Sequence, residues 1–148
     1  CGFGRVGCNV AHALVHTRRE FVAIDLDESS LMAQLEHFPE LLYLNGDASD
    51  DELLLASDIT DAAGVFAVTG DDSLNLMIVI TARQLNPDIR IVARCHEIRN
   101  VQKMKKAGAD VVISPDFSGG MRIASSMIRP HVVTFLDEML RSEQKIRL

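Results

Sequence analysis

The feature that most constrains this sequence is an alternation of short apolar runs with segments of helical periodicity. The runs do not alternate between polar and apolar residues, which indicates strands buried on both faces of a parallel sheet. A helical pattern follows each of the runs, which lie at residues 21–24, 41–44, 64–69, 89–93 and 111–113. Right-handed crossovers between such strands predict an α/β fold, a doubly wound parallel sheet with helices on both faces.

Neither a linker nor an internal repeat interrupts this alternation, so we predict one domain over residues 1–128. The strongest helical pattern follows residues 64–69. Its apolar face is formed by residues at three-and-four spacing, Leu74, Met77, Ile78, Thr81 and Leu85. Pro115 is expected to end the last strand, and the next helix to begin at Gly119. Residues 129–148 are predicted to form an amphipathic helix and to begin a further C-terminal part. One face of that closing helix carries the apolar residues Val132, Phe135, Leu136, Met139 and Leu140.

The composition excludes several classes of protein. With 15 Lys and Arg against 21 Asp and Glu, the net charge is −6, which disfavours sequence-independent binding to nucleic acid. The longest strongly apolar run, residues 76–80, is far shorter than the about 18 residues of a membrane helix, so we expect no direct membrane insertion of this segment. Three scattered cysteines form neither a disulfide framework nor a zinc-ligand pattern, and they fit a reducing, intracellular compartment.

Residues 2–7 read Gly-x-Gly-x-x-Gly and open the first helical pattern. Gly2 allows a tight turn, Gly4 lets a diphosphate approach the backbone, and Gly7 lets the helix pack closely on the sheet. Free amides at the start of that helix favour a phosphate group. Together these properties predict a Rossmann-like nucleotide-binding domain. The chain opens within the glycine turn, so we expect the first strand of the fold to be missing from the fragment, before Cys1.

An acidic residue at the end of the next strand supports this hypothesis. Asp25 follows Gly7 by 18 residues (25 − 7), close to the separation of about 20 residues expected for a ribose-binding acid. A carboxylate there accepts hydrogen bonds from the ribose and repels a 2′-phosphate, which favours NAD or a plain adenine nucleotide over NADP. The alternative is a structural turn with a solvated carboxylate.

Other strand ends are expected at the same crevice, because ligands bind beyond the carboxyl ends of the strands in such sheets. Asp47 and Ala48 follow the run at residues 41–44, and Asp47 is predicted near the adenine. Thr69 and Gly70 are predicted near the phosphates or a second nucleoside. The alternative for Asp47 and Thr69 is helix capping, to which both residue types are suited.

Arg94 ends the fourth apolar run and is the one basic residue at a predicted strand end. Its guanidinium is suited to phosphate oxygens, and the alternative is a structural ion pair with Asp47 or Asp71. His96 is the one histidine near the crevice, and the sequence gives it no evident carboxylate partner. We therefore predict no catalytic residues, no metal site and no enzymatic activity. The alternative is the cofactor-binding domain of an NAD-dependent oxidoreductase.

The order and spacing of these motifs resemble the nucleotide-binding half of the RCK, or TrkA-N, domain. The likeness covers nearly the whole chain and is carried by residues 2–7, 24–27, 46–48, 69–72, 92–94, 107–110, 112–115, 129–131 and 135–137. It implies a cytoplasmic regulatory domain, at the inner face of the cell membrane, that gates a potassium channel or transporter. It also implies a homodimer or a higher ring, in which the closing crossover helix docks on a neighbouring subunit.

The resemblance further implies NAD(H), ATP or ADP as the ligand. Phosphate contacts carry over to Gly4, Arg5 and Val6. The ribose contact carries over to Asp25, and a phosphate-facing role to Arg94. Calcium-gated members of the family place carboxylates after this same strand, where the stretch beginning at Arg94 is basic, so the sequence favours a nucleotide over calcium.

Overall fold

The computed structural model of this protein describes residues 1–128. The strands are β1 (Val22–Asp25), β2 (Leu42–Asn45), β3 (Gly64–Ala67), β4 (Arg90–Arg94) and β5 (Val111–Ile113). The α-helices are α1 (Arg5–His16), α2 (Glu28–Ala33), α3 (Asp51–Ala56), α4 (Asp72–Leu85), α5 (Val101–Ala107) and α6 (Pro115–Ile128). Short 3₁₀ turns at Ile59–Asp61 and Ile98–Asn100 complete the elements.

Every strand pair among these elements is parallel: β1 pairs with β2, and β3, β4 and β5 form a second sheet in that order. The segment Cys1–Gly2 lies between the two sheets. Cys1 N donates to Phe66 O (2.8 Å), Val68 N donates to Cys1 O (3.0 Å), and Gly2 N donates to Ile24 O (2.8 Å). This segment connects β1 to the β3 side by backbone hydrogen bonds, beside a cavity of about 710 Å³. The doubly wound parallel α/β fold is confirmed.

Two apolar clusters hold the elements together. The larger one joins α4 to β3 and β4 and includes the fully buried Ile78, Ile91 and Met104. The smaller one joins α1, α2 and β1 and is centred on the rings of Phe3 and Phe38, whose centroids lie 5.7 Å apart. The glycine turn lies next to both clusters and is therefore held between well-packed halves of the domain.

Two elements differ from the sequence prediction. The last described helix begins at Pro115 and not at Gly119, because proline lacks an N–H and fits the first turn of a helix. On α4, Met77 is 49% exposed, whereas Asn75 and Val79 are fully buried. The buried sector is therefore rotated from the predicted one, because α4 packs against β3 and β4 on one side and against α3 and α5 on others.

The predicted closing helix, residues 129–148, lies outside the described residues, so its boundary and its role in dimerisation remain predictions. Among residues 1–128, no helix combines the length and the apolar character needed to cross a membrane.

Candidate functional site

A cleft of about 520 Å³ opens at the carboxyl ends of β1, β3 and β4. The predicted residues that line it are Gly2, Gly4, Arg5, Val6, Asp25, Ala48, Thr69, Gly70 and Arg94. The sequence analysis did not name its other lining residues, which are Ile24, Leu26, Gly46, Val68 and Leu74. Gly7 and Asp47 lie outside the lining. The fold thus brings most of the predicted residues into one concavity.

The glycine turn is shaped by close backbone contacts. Gly2 has a φ of 91°, and a Cβ atom there would lie 2.8 Å from Thr69 N, so any other residue would be strained and crowded. Gly7 packs inside the turn, where a Cβ atom would overlap Gly2 O, so only glycine fits at this position. A Cβ atom on Gly4 would meet nothing within 4 Å. The open side of the turn therefore lies at Gly4.

The first turn of α1 presents backbone N–H groups at this open side. Gly4 is the N-cap residue and provides no side-chain hydrogen bond to the helix. The N–H groups of Arg5 and Val6 are among those that an α-helix leaves without an internal acceptor. With the partial positive charge of the helix end, they form a surface suited to an anion.

The carboxylate of Asp25 connects the end of β1 to the glycine turn. Its Oδ2 accepts a hydrogen bond from Phe3 N (2.7 Å), and its Oδ1 accepts one from Asp27 N (2.8 Å). Each carboxylate oxygen has a further lone pair, so the half-buried side chain is still able to accept hydrogen bonds from hydroxyl groups in the cleft.

Asp47 is engaged in a local turn. Its Oδ1 accepts hydrogen bonds from Ser49 Oγ (2.6 Å) and Ser49 N (2.8 Å), and these bonds hold the pKa of Asp47 below its ordinary value. Asp47 therefore forms a local turn and does not cap α3, whose N-cap residue is Asp50, with its carboxylate accepting a hydrogen bond from Glu52 N (3.2 Å). The next residue, Ala48, is buried and lines the cleft.

The Thr69–Gly70 segment is held by an asparagine that the sequence analysis did not single out. The hydroxyl of Thr69 donates to Asn75 Oδ1 (2.6 Å), and Thr69 N donates to the same oxygen (2.9 Å). Asp71 caps α4 by accepting a hydrogen bond from Ser73 N (2.8 Å). The sequence carried no signal for this contact, because position 75 lies outside the apolar face predicted for α4.

Arg94 lies in the cleft and has no ionic partner among residues 1–128. The ion pairs within residues 1–128 are Arg83–Asp110 and His96–Asp116, so the predicted alternative of a pair with Asp47 or Asp71 is not found. The Nε atom of Arg94 is buried and has no hydrogen-bond partner. A buried polar group of this kind is costly unless something binds it, which makes this guanidinium suited to an anionic ligand.

The loop after β4 lies outside the cleft lining and is held by hydrogen bonds to Asp72, the first residue of α4. Asp72 accepts hydrogen bonds from His96 N (2.8 Å) and Glu97 N (3.0 Å). His96 does have a carboxylate partner, contrary to expectation, because its Nδ1 lies 3.4 Å from Asp116 Oδ2. In the part of the chain that the structure describes, no cluster of three His, Cys, Asp or Glu side chains is arranged to hold a metal ion.

Comparison with known proteins identifies the family. The family model of the TrkA-N domain matches residues 1–115. The chain belongs to the TrkA-N domain family. This TrkA-N domain is 37% identical over 142 residues to "Probable potassium channel protein 2" of Methanocaldococcus jannaschii. The match covers 95% of this chain and 41% of that protein, so the chain spans less than half the length of this relative.

Solved structures support the same assignment. The crystal structure of the GsuK RCK domain is 34% identical to this TrkA-N domain and superposes with a TM-score of 0.73. The match covers 93% of this chain and 29% of that one. The structure of the GsuK channel bound to NAD, at 22% identity and a TM-score of 0.58, covers 69% of this chain and 18% of that one, and shows likeness of fold. The family predicted from the motifs is confirmed.

Proposed function

We propose that this TrkA-N domain binds an adenine nucleotide, NAD(H), ATP or ADP, and that binding regulates a potassium channel or transporter. The observation that carries the proposal is the composition of the cleft. Free helix amides, a carboxylate able to accept hydroxyl groups and a guanidinium without an ionic partner line one concavity. These are the groups that a ribose and a diphosphate require.

Each group has a proposed role in nucleotide binding. The amides at Gly4, Arg5 and Val6 bind the phosphates at the N-terminus of α1. Asp25 accepts hydrogen bonds from the ribose hydroxyls, and Arg94 binds phosphate oxygens from the opposite wall. A carboxylate at position 25 repels a 2′-phosphate, which favours NAD over NADP.

A regulatory role is favoured over catalysis by the residues that line the cleft. Among the described lining residues, Asp25 is the one ordinary acid–base side chain, and its two oxygens already bind Phe3 N and Asp27 N; no His, Cys, Tyr or Lys accompanies it. In a regulatory domain, a nucleotide that prefers one arrangement of an assembly shifts the equilibrium between arrangements by its differential affinity. We propose that the assembly is a homodimer or a ring at the cytoplasmic face of the membrane, joined to a potassium-conducting pore or transporter subunit.

Titration calorimetry on the full-length protein with ADP and NAD tests nucleotide binding. Arg94→Gln is expected to weaken ADP binding by about tenfold or more, since a hydrogen bond to a charged group contributes about 1.5–3 kcal/mol. The matched control is Arg90→Gln, an exposed arginine at the opposite end of β4, which should bind ADP like the wild type. A wild-type protein that binds no adenine nucleotide would overturn the proposal.

A further inference from the structure

Asn75 is a fully buried amide at the point where β3 and β4 separate. The hydrogen-bonded ladder between the two strands ends at the pair Ala67 and Ala93. Beyond this pair, the chain turns at Thr69 on one side and continues to Arg94 on the other, and both residues line the cleft. Asn75 projects from the first turn of α4 into the space between them.

All hydrogen-bonding groups of the Asn75 side chain are used at this point. Its Oδ1 accepts from Thr69 N (2.9 Å) and Thr69 Oγ1 (2.6 Å), and its Nδ2 donates to Thr69 O (3.1 Å) and Arg94 O (3.0 Å). A primary amide has two donor hydrogens and two acceptor lone pairs, so this set is complete. The side chain therefore takes the place of a peptide group and continues the connection between the strands.

Other side chains cannot supply this set of hydrogen bonds. An aspartate has no donor for the two carbonyl groups, and a serine has one donor and a shorter reach. A glutamine adds a methylene group to a fully buried position. The neighbouring buried positions on α4 are the apolar Ile78 and Val79. The amide at position 75 thus corresponds to a specific polar requirement of the two strand ends.

We propose that Asn75 is a positioning residue for nucleotide phosphates, which sets the Thr69–Gly70 segment and Arg94 at the separation that a diphosphate requires. This inference rests on the proposed function of the cleft. Asn75 itself does not line the cleft, so it acts through Thr69 and Arg94. Its replacement should weaken the binding of phosphorylated ligands selectively, because the ribose acceptor Asp25 is held by Phe3 N and Asp27 N and makes no contact with Asn75.

The experiment compares ADP with adenosine, which lacks the phosphates, on the full-length protein. ADP binding is measured by titration calorimetry and adenosine binding by NMR titration, for the wild type, Asn75→Asp and Asn75→Ser. The matched control is Asn86→Ser. Asn86, at the other end of α4, donates to Ile59 O (2.9 Å) and Thr60 O (3.3 Å), away from the cleft. Thermal unfolding of each variant verifies that it is folded at the temperature of the binding measurement.

We expect both Asn75 variants to lose about tenfold or more in ADP affinity, and to bind adenosine within about twofold of the wild type. Asn86→Ser should unfold at a lower temperature but bind both ligands normally. If Asn75→Asp is unfolded, Asn75→Ser decides the result. Unchanged ADP affinity in a folded Asn75 variant, or equal losses for ADP and adenosine, would overturn the positioning role alone. A wild-type protein that binds no ADP would overturn the proposed function and, with it, this inference.

Discussion

Replacement of Asp25 by asparagine removes the negative charge at the centre of the proposed ribose site and changes little else in its shape. Asp25 accepts from Phe3 N with one oxygen and from Asp27 N with the other, so the single oxygen of an asparagine side chain keeps only one of these two hydrogen bonds. Phe3 is buried and Asp27 is exposed, so we expect the amide oxygen to face Phe3 and water to satisfy Asp27. The loss of folding stability should therefore be small, about 1 kcal/mol.

The expected effect on binding is larger. A hydrogen bond to a charged acceptor contributes about 1.5–3 kcal/mol, and one between neutral groups about 0.5–1.5 kcal/mol. If Asp25 binds one or two ribose hydroxyls, Asp25→Asn should lose about 1–3 kcal/mol of binding free energy, which corresponds to an affinity for NAD lower by about 5- to 150-fold. The affinity for NADP should fall less or should rise, because the repulsion of its 2′-phosphate is removed.

Calorimetry with NAD and NADP on the same preparations measures both effects. The control is Asp88→Asn, which makes the same chemical change at an exposed position outside the cleft and should leave both affinities unaltered. If Asp25→Asn retains the wild-type ratio of NAD to NADP affinity, Asp25 does not select the ribose, and the orientation of the nucleotide in the cleft would have to be different.

Two further predictions concern the glycine turn and the far end of α4. Gly7→Ala should lower the free energy of unfolding in urea by about 1–3 kcal/mol, because its Cβ atom would overlap Gly2 O. Gly4→Ala, with open space around its Cβ atom, should keep the stability of the wild type and bind ADP more weakly. Equal stabilities of the two variants would contradict the close contact at Gly7. Arg83→Met should lower the free energy of unfolding in urea by about 2–4 kcal/mol, because Arg83 donates to Gly108 O (2.6 Å) and Ile89 O (2.7 Å) and pairs with Asp110 (3.0 Å). The ADP affinity of the folded variant, measured by calorimetry, should not change.

Whether a residue lies in the cleft is easiest to predict from sequence when that residue ends a strand, although its role there stays a prediction. Arg94 and Asp25 each close a strand, and parallel strands bring such ends together whatever the details of packing. Asp47 also follows a strand end, yet two hydrogen bonds from Ser49 hold it in a local turn, and Asp50 is the residue that caps α3. The sequence left a nucleotide contact and helix capping open for Asp47, because aspartate suits both roles, and it did not anticipate the turn with Ser49.

The face of α4 illustrates a second kind of difference. Apolar periodicity identified the helix correctly, but it gave Met77 a buried position and passed over Asn75. Periodicity counts apolar residues and has no means of recognising a buried amide whose partners are backbone groups of distant strands. The role of Asn75 follows only from the tertiary structure, in which its Nδ2 donates to Thr69 O and Arg94 O.

The sequence by itself determined the α/β alternation, the parallel sheet, the glycine turn and the family, because these depend on local periodicity and on residues at fixed spacing. Only the tertiary structure decided which polar groups are already satisfied and which remain available. Asp47 is bound by its own turn, whereas Arg94 Nε is buried without a partner. The physical reason is that a polar group's capacity to bind a ligand depends on the hydrogen bonds it has already formed, many of them with residues far away in the chain.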